Sequence, residues 1–264
     1  MRIATWNVNS VLARLPRLVE WLELAAPDVV CLQETKVGAD AFPADAVAPL
    51  GYAVAHHGEG RWNGVAVLSR LKMEDVVRGL PGDPGFPDEH ALEARTLAAT
   101  CGPVRVRSVY VPNGRTPDDP HYSYKLRWLA ALQAAVAADA SGSLPFAVMG
   151  DFNVAPADDD VWDPAAFVGS THVTPEERAA LAGLLDLGLT DVPARALKGE
   201  PFTYWDYRAG MFHKGMGMRI DLVLASGVVA AAVKDAYVDR EARKGKGPSD
   251  HAPIVVDLDL PAAD

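Results

Sequence analysis

An α+β fold, with two sheets packed face to face and helices outside them, is predicted by three observations. Short apolar runs recur along the chain and end in polar or turn-forming residues; a few longer helical patterns fall between them; and no fixed-period repeat or linker divides the sequence. At 264 residues, one domain spanning residues 1–264 is expected. Ile3 to Val8 and Val29 to Gln33 have strand length, and between them Leu15, Leu18, Val19 and Leu22, with Trp21 beside them, recur at helix spacing. Further strands are predicted at Tyr52–Ala55, Gly64–Leu68, Thr96–Thr100, Val104–Val111, Phe146–Met149, Arg219–Leu224, Val229–Val238 and Ile254–Leu258. A helix is predicted over Tyr122–Ala138, with Leu126, Leu129, Ala130, Leu132 and Val136 on its apolar side. Thr174-Pro175-Glu176-Glu177 starts another by supplying an N-cap hydroxyl, a proline at the first helical position and a glutamate that closes a capping box; its end is expected near Gly188. Leu80 to Asp88, rich in proline and glycine, reads as an exposed loop.

Composition narrows the function. Hydrophobic residues make up 49% and charged residues 23% of the chain, which excludes disordered and coiled-coil classes. No run approaches a membrane span, and Asn7 and Asn9 interrupt the start before a signal peptide's apolar segment could form, so a cytoplasmic protein with no membrane partner is expected. Cys31 and Cys101 both sit in apolar runs and read as core residues, not as a disulfide framework or a thiolate metal cage. The net charge of −10 argues against generic attraction to polyanions, yet residues 195–246 hold ten Lys or Arg against six Asp or Glu, a balance of +4 that leaves −14 elsewhere. Positive charge is concentrated late in the chain.

The chemistry-bearing residues follow apolar runs, so that a rigid sheet can aim them into one cleft. Asn7 and Asn9 end the first run, and Glu34 directly follows the second. Gly150-Asp151-Phe152-Asn153 closes the third, where Gly150 permits close backbone approach, Asp151 can take a proton and Asn153 can hold an oxygen. Alone, the Asn7–Asn9 and Gly150–Asn153 segments also fit ordinary turns, and Glu34 a solvated loop. Asp250 and His251 precede the last strand, and Asp221 interrupts an otherwise hydrophobic one. A buried Asp needs a partner, and His251 is the natural one: it would gain a fixed tautomer and a proton for an anionic substrate. Backbone amides are the alternative partner for Asp221. Asn7, Glu34, Asp151, Asn153 and Asp250 offer oxygen, which suits Mg2+ or Mn2+ rather than zinc. His56-His57 reads as structural or surface, Asp158-Asp159-Asp160 as a solvated loop, and Ser249 lacks the elbow of a serine hydrolase.

In order and spacing, Thr5-Trp6-Asn7-Val8-Asn9, Leu32-Gln33-Glu34-Thr35-Lys36, Tyr110-Val111-Pro112-Asn113-Gly114, Gly150-Asp151-Phe152-Asn153, Arg219-Ile220-Asp221-Leu222 and Ser249-Asp250-His251-Ala252-Pro253 resemble the exodeoxyribonuclease III family. This is a group of bacterial apurinic/apyrimidinic (AP) endonucleases within the endonuclease/exonuclease/phosphatase superfamily, and the resemblance runs from Met1 to about Leu258. It implies a four-layered αββα sandwich of two mostly antiparallel sheets, and a Mg2+-dependent repair nuclease, with Mn2+ as substitute. Such an enzyme cuts double-stranded DNA 5′ of abasic sites, trims 3′ ends and acts as a monomer.

By the same resemblance Glu34 is the principal metal ligand with Asn7 and Asp250 close to the ion, Asp151 with Asn153 handles the attacking water, and His251, held by Asp221, contacts the phosphate. Tyr110 approaches the phosphate or the leaving oxygen, with Asn113 on the same loop. Tyr204, Met218 and Ile220 fall at the pocket for the base-free sugar, where Tyr204 and Met218 depart from the larger or more apolar residues of some members. Arg14, Arg115, Lys125, Arg208, Lys214, Arg240, Arg243, Lys244 and Lys246 are the expected DNA contacts. The alternatives are another metal-dependent phosphodiesterase of the superfamily, or a non-catalytic RNA-associated regulator.

Overall fold

The computed structural model describes residues 1–260; residues 261–264, which the expected domain includes, lie outside the described residues. The strands are β1 (Arg2–Asn7), β2 (Val29–Gln33), β3 (Ala53–His57), β4 (Val65–Ser69), β5 (Met73–Arg78), β6 (Thr96–Cys101), β7 (Val104–Tyr110), β8 (Phe146–Asp151), β9 (Thr190–Asp191), β10 (Arg195–Ala196), β11 (Asp221–Ala225), β12 (Val233–Val238) and β13 (Ile254–Leu258). The α-helices are α1 (Val11–Ala25), α2 (Ala44–Val47), α3 (Pro120–Ser141), α4 (Pro175–Leu185), α5 (Met211–Lys214) and α6 (Gly227–Ala232).

The strands form two sheets, ordered β10-β12-β13-β1-β2-β4-β3 and β5-β6-β7-β8-β11-β9. Most neighbours are antiparallel; β1–β2, β7–β8 and β10–β12 are parallel. Between the sheets, Ile3, Val29, Cys31, Val65 and Val67 meet Leu97, Cys101, Val106, Met149 and Val223. The outer face of the first sheet packs on Leu18, Trp21 and Leu22 of α1, and that of the second on Trp128, Leu132 and Val136 of α3 and Leu181 and Leu184 of α4. The four αββα layers follow from strands buried on both faces, each sheet filling one core inward and another against a helix. Cys31 and Cys101 are free and buried, as expected.

At α4 the capping box forms as the sequence spells it, with the Thr174 hydroxyl accepting from the Glu177 amide at 3.2 Å and the Glu177 carboxylate accepting from the Thr174 amide at 3.1 Å; the helix ends at Leu185. Three expectations are corrected. The strand expected at Val229–Val238 begins only at Val233: residues 229–232 belong to α6, since Gly227 to Ala232 follow Ser226 at an N-cap position and end in alanines. Ala130 is exposed, and the buried stripe of α3 instead carries Tyr124, Lys125 and Trp128. Asp160 is buried, not solvated, because Arg219 grips both its carboxylate oxygens at 2.6 and 3.1 Å.

Candidate active site

The sheets share one mouth, and strand register delivers acids to it. The parallel β1–β2 pair sets Asn7 beside Gln33, with Glu34 one residue further; β7–β8 sets Tyr110 beside Asp151; β8–β11 sets Asp151 opposite Asp221. Gly150 lets β8 approach β7 closely, since a Cβ there would lie 2.1 Å from the Val109 carbonyl oxygen. Below the mouth, Gln33 donates to the Thr5 and Ser108 hydroxyls, each at 3.0 Å, and so ties one sheet to the other. Glu34, Lys36 and Asn153 all take positive φ, near 50°. Asparagine takes that conformation readily, whereas Glu34 and Lys36 hold it only because their surroundings enforce it.

A cavity of about 190 Å³ opens among Glu34, Tyr110, Asn113, Asp151, Asn153, Asp250 and His251 on the polar side and Tyr204, Met218 and Ile220 on the apolar side. Asn7 donates to Glu34 at 2.8 Å and to Asp151 at 2.9 Å, and the Asn153 amide donates to the other Asp151 oxygen at 2.9 Å. Burial pushes the Asp151 carboxyl up to about 7, with the Asp221 and Glu34 charges adding to the push and the His251 charge opposing it. His251 shows the reverse balance. Burial alone would lower it, but the Asp221 charge and a 2.7 Å hydrogen bond to Nδ1 raise it to about 10, so the ring is protonated and Nδ1 donates to Asp221. The His251 Nε2 lies 3.8 Å from Asp151. Glu34 remains below the usual carboxylate range despite burial, because Lys36 pairs with it at 2.7 Å and Asn7 donates to it. Burial and the nearby Glu34 charge raise Tyr110 well above the ordinary phenol range, leaving it a protonated donor.

Ligand atoms of Glu34, Asp151 and His251 lie within 4.8 Å of one another, a cluster able to hold a metal ion. His251, protonated, has no free lone pair to offer a cation, so within this cluster only the carboxylates of Glu34 and Asp151 offer the oxygen that a hard cation prefers. Asn7 and Asp250 are close by but engaged: the Asn7 oxygen accepts from the Asn9 amide at 3.0 Å, and Asp250 accepts from the Asn9 side chain at 3.0 Å.

Two expected DNA contacts are displaced. Lys125 is completely buried and ion-paired with Glu177. Arg243 is also buried, packed on Phe212 with its guanidinium 4.8 Å from the ring, and donates to the Ser249 and Trp205 carbonyls. Neither can reach a phosphate outside. Arg115, Arg208, Lys214, Lys244 and Lys246 are exposed, while Arg14 is half-buried and donates to the Tyr207 hydroxyl at 2.6 Å. Arg240 stacks 4.4 Å from the centre of the Phe212 ring.

The sequence reading gave no role to Lys36, whose partner Glu34 lies two residues away, and it missed His172. His172 lines the cavity and bonds Asn153 at 3.1 Å; it is neutral, pushed down to about 3 by burial and by the Lys125 charge. No strand precedes it to signal its aim. Trp62, also missed, is 64% exposed and borders an adjoining cleft of about 650 Å³ that shares Tyr110 and Asn113 with the cavity.

This fold and acidic mouth are those of a known class. Residues 4–251 match the model of the Endonuclease/Exonuclease/phosphatase family, and the chain belongs to that family. Exodeoxyribonuclease III of Haemophilus influenzae is 32% identical over 266 residues, covering 96% of this chain and 98% of its own. Among solved structures, a 3′-5′ exonuclease from Neisseria meningitidis superposes with a TM-score of 0.92 at 42% identity, and an AP endonuclease from Archaeoglobus fulgidus with 0.90 at 34%. Each comparison covers 98% of this chain and 100% of the other.

Proposed function

We propose that the protein is a single-domain, monomeric, cytoplasmic Mg2+-dependent nuclease that hydrolyses the phosphodiester 5′ of an abasic site in double-stranded DNA and trims 3′ ends. The observation that carries this reading is the convergence of Glu34, Asp151 and the Asp221-locked His251 at one mouth. Similarity to exodeoxyribonuclease III and to the AP endonuclease supports it.

In this mechanism Asp151 accepts the proton of the attacking water, and a carboxyl raised to about 7 has the basicity for that work near neutral pH. Asn7 and the Asn153 amide fix its two oxygens. The His251 Nε2–H donates to a non-bridging phosphate oxygen and Tyr110 to the leaving oxygen, where negative charge grows in the transition state. Glu34, with Asn7 and Asp250 around it, would hold Mg2+, which would supply charge neutralisation for the phosphate in the transition state. Tyr204, Met218 and Ile220 form an apolar wall for a sugar without a base, a nucleotide easily extruded because little stacking is lost. Arg14, Arg115, Arg208, Lys214, Lys244 and Lys246 meet backbone phosphates.

The test is cleavage of an end-labelled duplex carrying one abasic analogue, beside the undamaged duplex and one ending in a 3′-phosphate, with Mg2+ and then with chelator. Mg2+-dependent incision at the lesion is expected; no cleavage of any substrate by folded, Mg2+-replete protein overturns the reading. A second reading, with 3′ ends as the main substrate, is favoured by the 42% identity to the Neisseria 3′-5′ exonuclease. Removal of the 3′-phosphate without incision at the lesion would select it.

A further inference from the structure

Lys125 and Glu177 form an ion pair with no solvent exposure on either side chain. Removing two charges from water costs several kcal/mol per ion, and a well-packed apolar pair of the same volume is often as stable, so stability alone is a weak reason for this one. Its surroundings supply a better reason. The Lys125 ammonium also donates to the main-chain carbonyls of Asn153 at 2.6 Å and Asn113 at 3.2 Å. One Glu177 oxygen accepts from the Thr171 hydroxyl at 2.6 Å, while the other closes the cap of α4 at Thr174. The pair therefore grips, from behind, the loops that present Asn113, Asn153 and His172 to the cavity. Those side chains are themselves joined, with the Asn153 oxygen 3.2 Å from the Asn113 amide and 3.1 Å from the His172 ring. Asn153 sits at a φ of 50°, and its own amide holds Asp151 at 2.9 Å. A chain of contacts runs from Lys125 through Asn153 to the Asp151 carboxylate.

We infer that the buried Lys125–Glu177 pair is a positioning device for the reaction: it fixes the backbone of Asn113 and Asn153, and through Asn153 the aim of Asp151, without touching DNA. This rests on the hydrolytic reading above. Lys125 is a positioning residue here, so its loss should lower kcat while leaving KM for DNA in place. It should also leave the salt dependence of DNA binding unchanged, because no phosphate contact disappears.

The test uses the full chain with Lys125→Met and Glu177→Gln combined, which removes the buried charge on both sides and keeps an acceptor for the Thr174 cap. Expected is a folded protein whose kcat on the abasic duplex falls roughly 10- to 100-fold, the scale of a small misplacement of reacting groups, with KM and the salt slope unchanged. Thr171→Val, a milder lesion in the same network, should show a smaller fall of the same kind. Unchanged kcat in either folded variant overturns the inference, and so does a raised KM with a shallower salt slope, which would make Lys125 a DNA contact. Amide exchange at Asn113, Asn153 and His172 in the metal-free proteins should quicken in both variants relative to the intact chain. That readout judges the positioning even if the intact protein fails to cleave DNA, in which case the functional reading falls instead.

Discussion

Two clusters of buried charge lie on either side of Asn153, and they are built to opposite rules. Behind it, Lys125 and Glu177 match one cation with one anion, enclosed from solvent and tied to backbone carbonyls and hydroxyls. The Lys125 charge holds the Glu177 carboxyl below its usual range even though burial pushes upward. In front, Glu34, Asp151, Asp221 and Asp250 crowd together around His251 and Lys36, and one Asp221 oxygen has no hydrogen-bond partner among the described residues. A closed, matched pair is scaffolding, whereas an open cluster with surplus carboxylate is held ready for a proton or a cation. The same chemistry of buried acid and base thus serves two ends, set by whether charge is balanced inside the protein or from outside.

The front cluster can be broken hardest at Asp151. Asp151→Asn should keep DNA binding and lower single-turnover cleavage by roughly two to three orders of magnitude, the scale for loss of one transition-state group; an unchanged rate would remove Asp151 from the chemistry. Glu34→Gln should raise the Mg2+ concentration for half-maximal cleavage by roughly 10- to 100-fold, measured by titrating Mg2+ at fixed DNA. In metal-free protein the His251 ring should stay protonated well past its ordinary 6.5 and titrate near 10 by NMR. The sign follows from Asp221: its negative charge favours the protonated ring, so Asp221→Asn should bring the transition back toward 6.5. The smallest effect is expected at the rim, where Lys246→Ala should weaken binding to all duplexes alike and reduce the salt slope by about one.

Legibility in the sequence followed the same division. Glu34, Asp151 and Asp221 were readable because each follows or interrupts an apolar strand, and His251 because it precedes one; a strand end fixes direction without knowledge of distant partners. The Asp221–His251 bond was readable from the cost of burying an acid. Lys125 was not, because the acid that allows its burial lies 52 residues away on another helix, and a lone Lys in a helix reads as solvated. Arg243 failed for a related reason: its partners are carbonyls and aromatic faces, which carry no charge signature. Among the strands, β5 escaped because its residues are mostly exposed, it lies at a sheet edge, and its register shifts between Glu74 and Val77. The helix at 227–232 escaped because Val229, inside it, reads as the start of the strand that begins at Val233.

The contrast between the two clusters is tested most directly by titrating metal-free protein with Mn2+, as the spin-active substitute for Mg2+, and measuring bound ion by electron paramagnetic resonance. Three chains are compared: the unchanged protein, Glu34→Gln, and the combined Lys125→Met and Glu177→Gln variant. Mn2+ binding that weakens sharply in Glu34→Gln and persists in the combined variant is the predicted result. Equal binding by all three would contradict it and place the ion away from the acidic mouth.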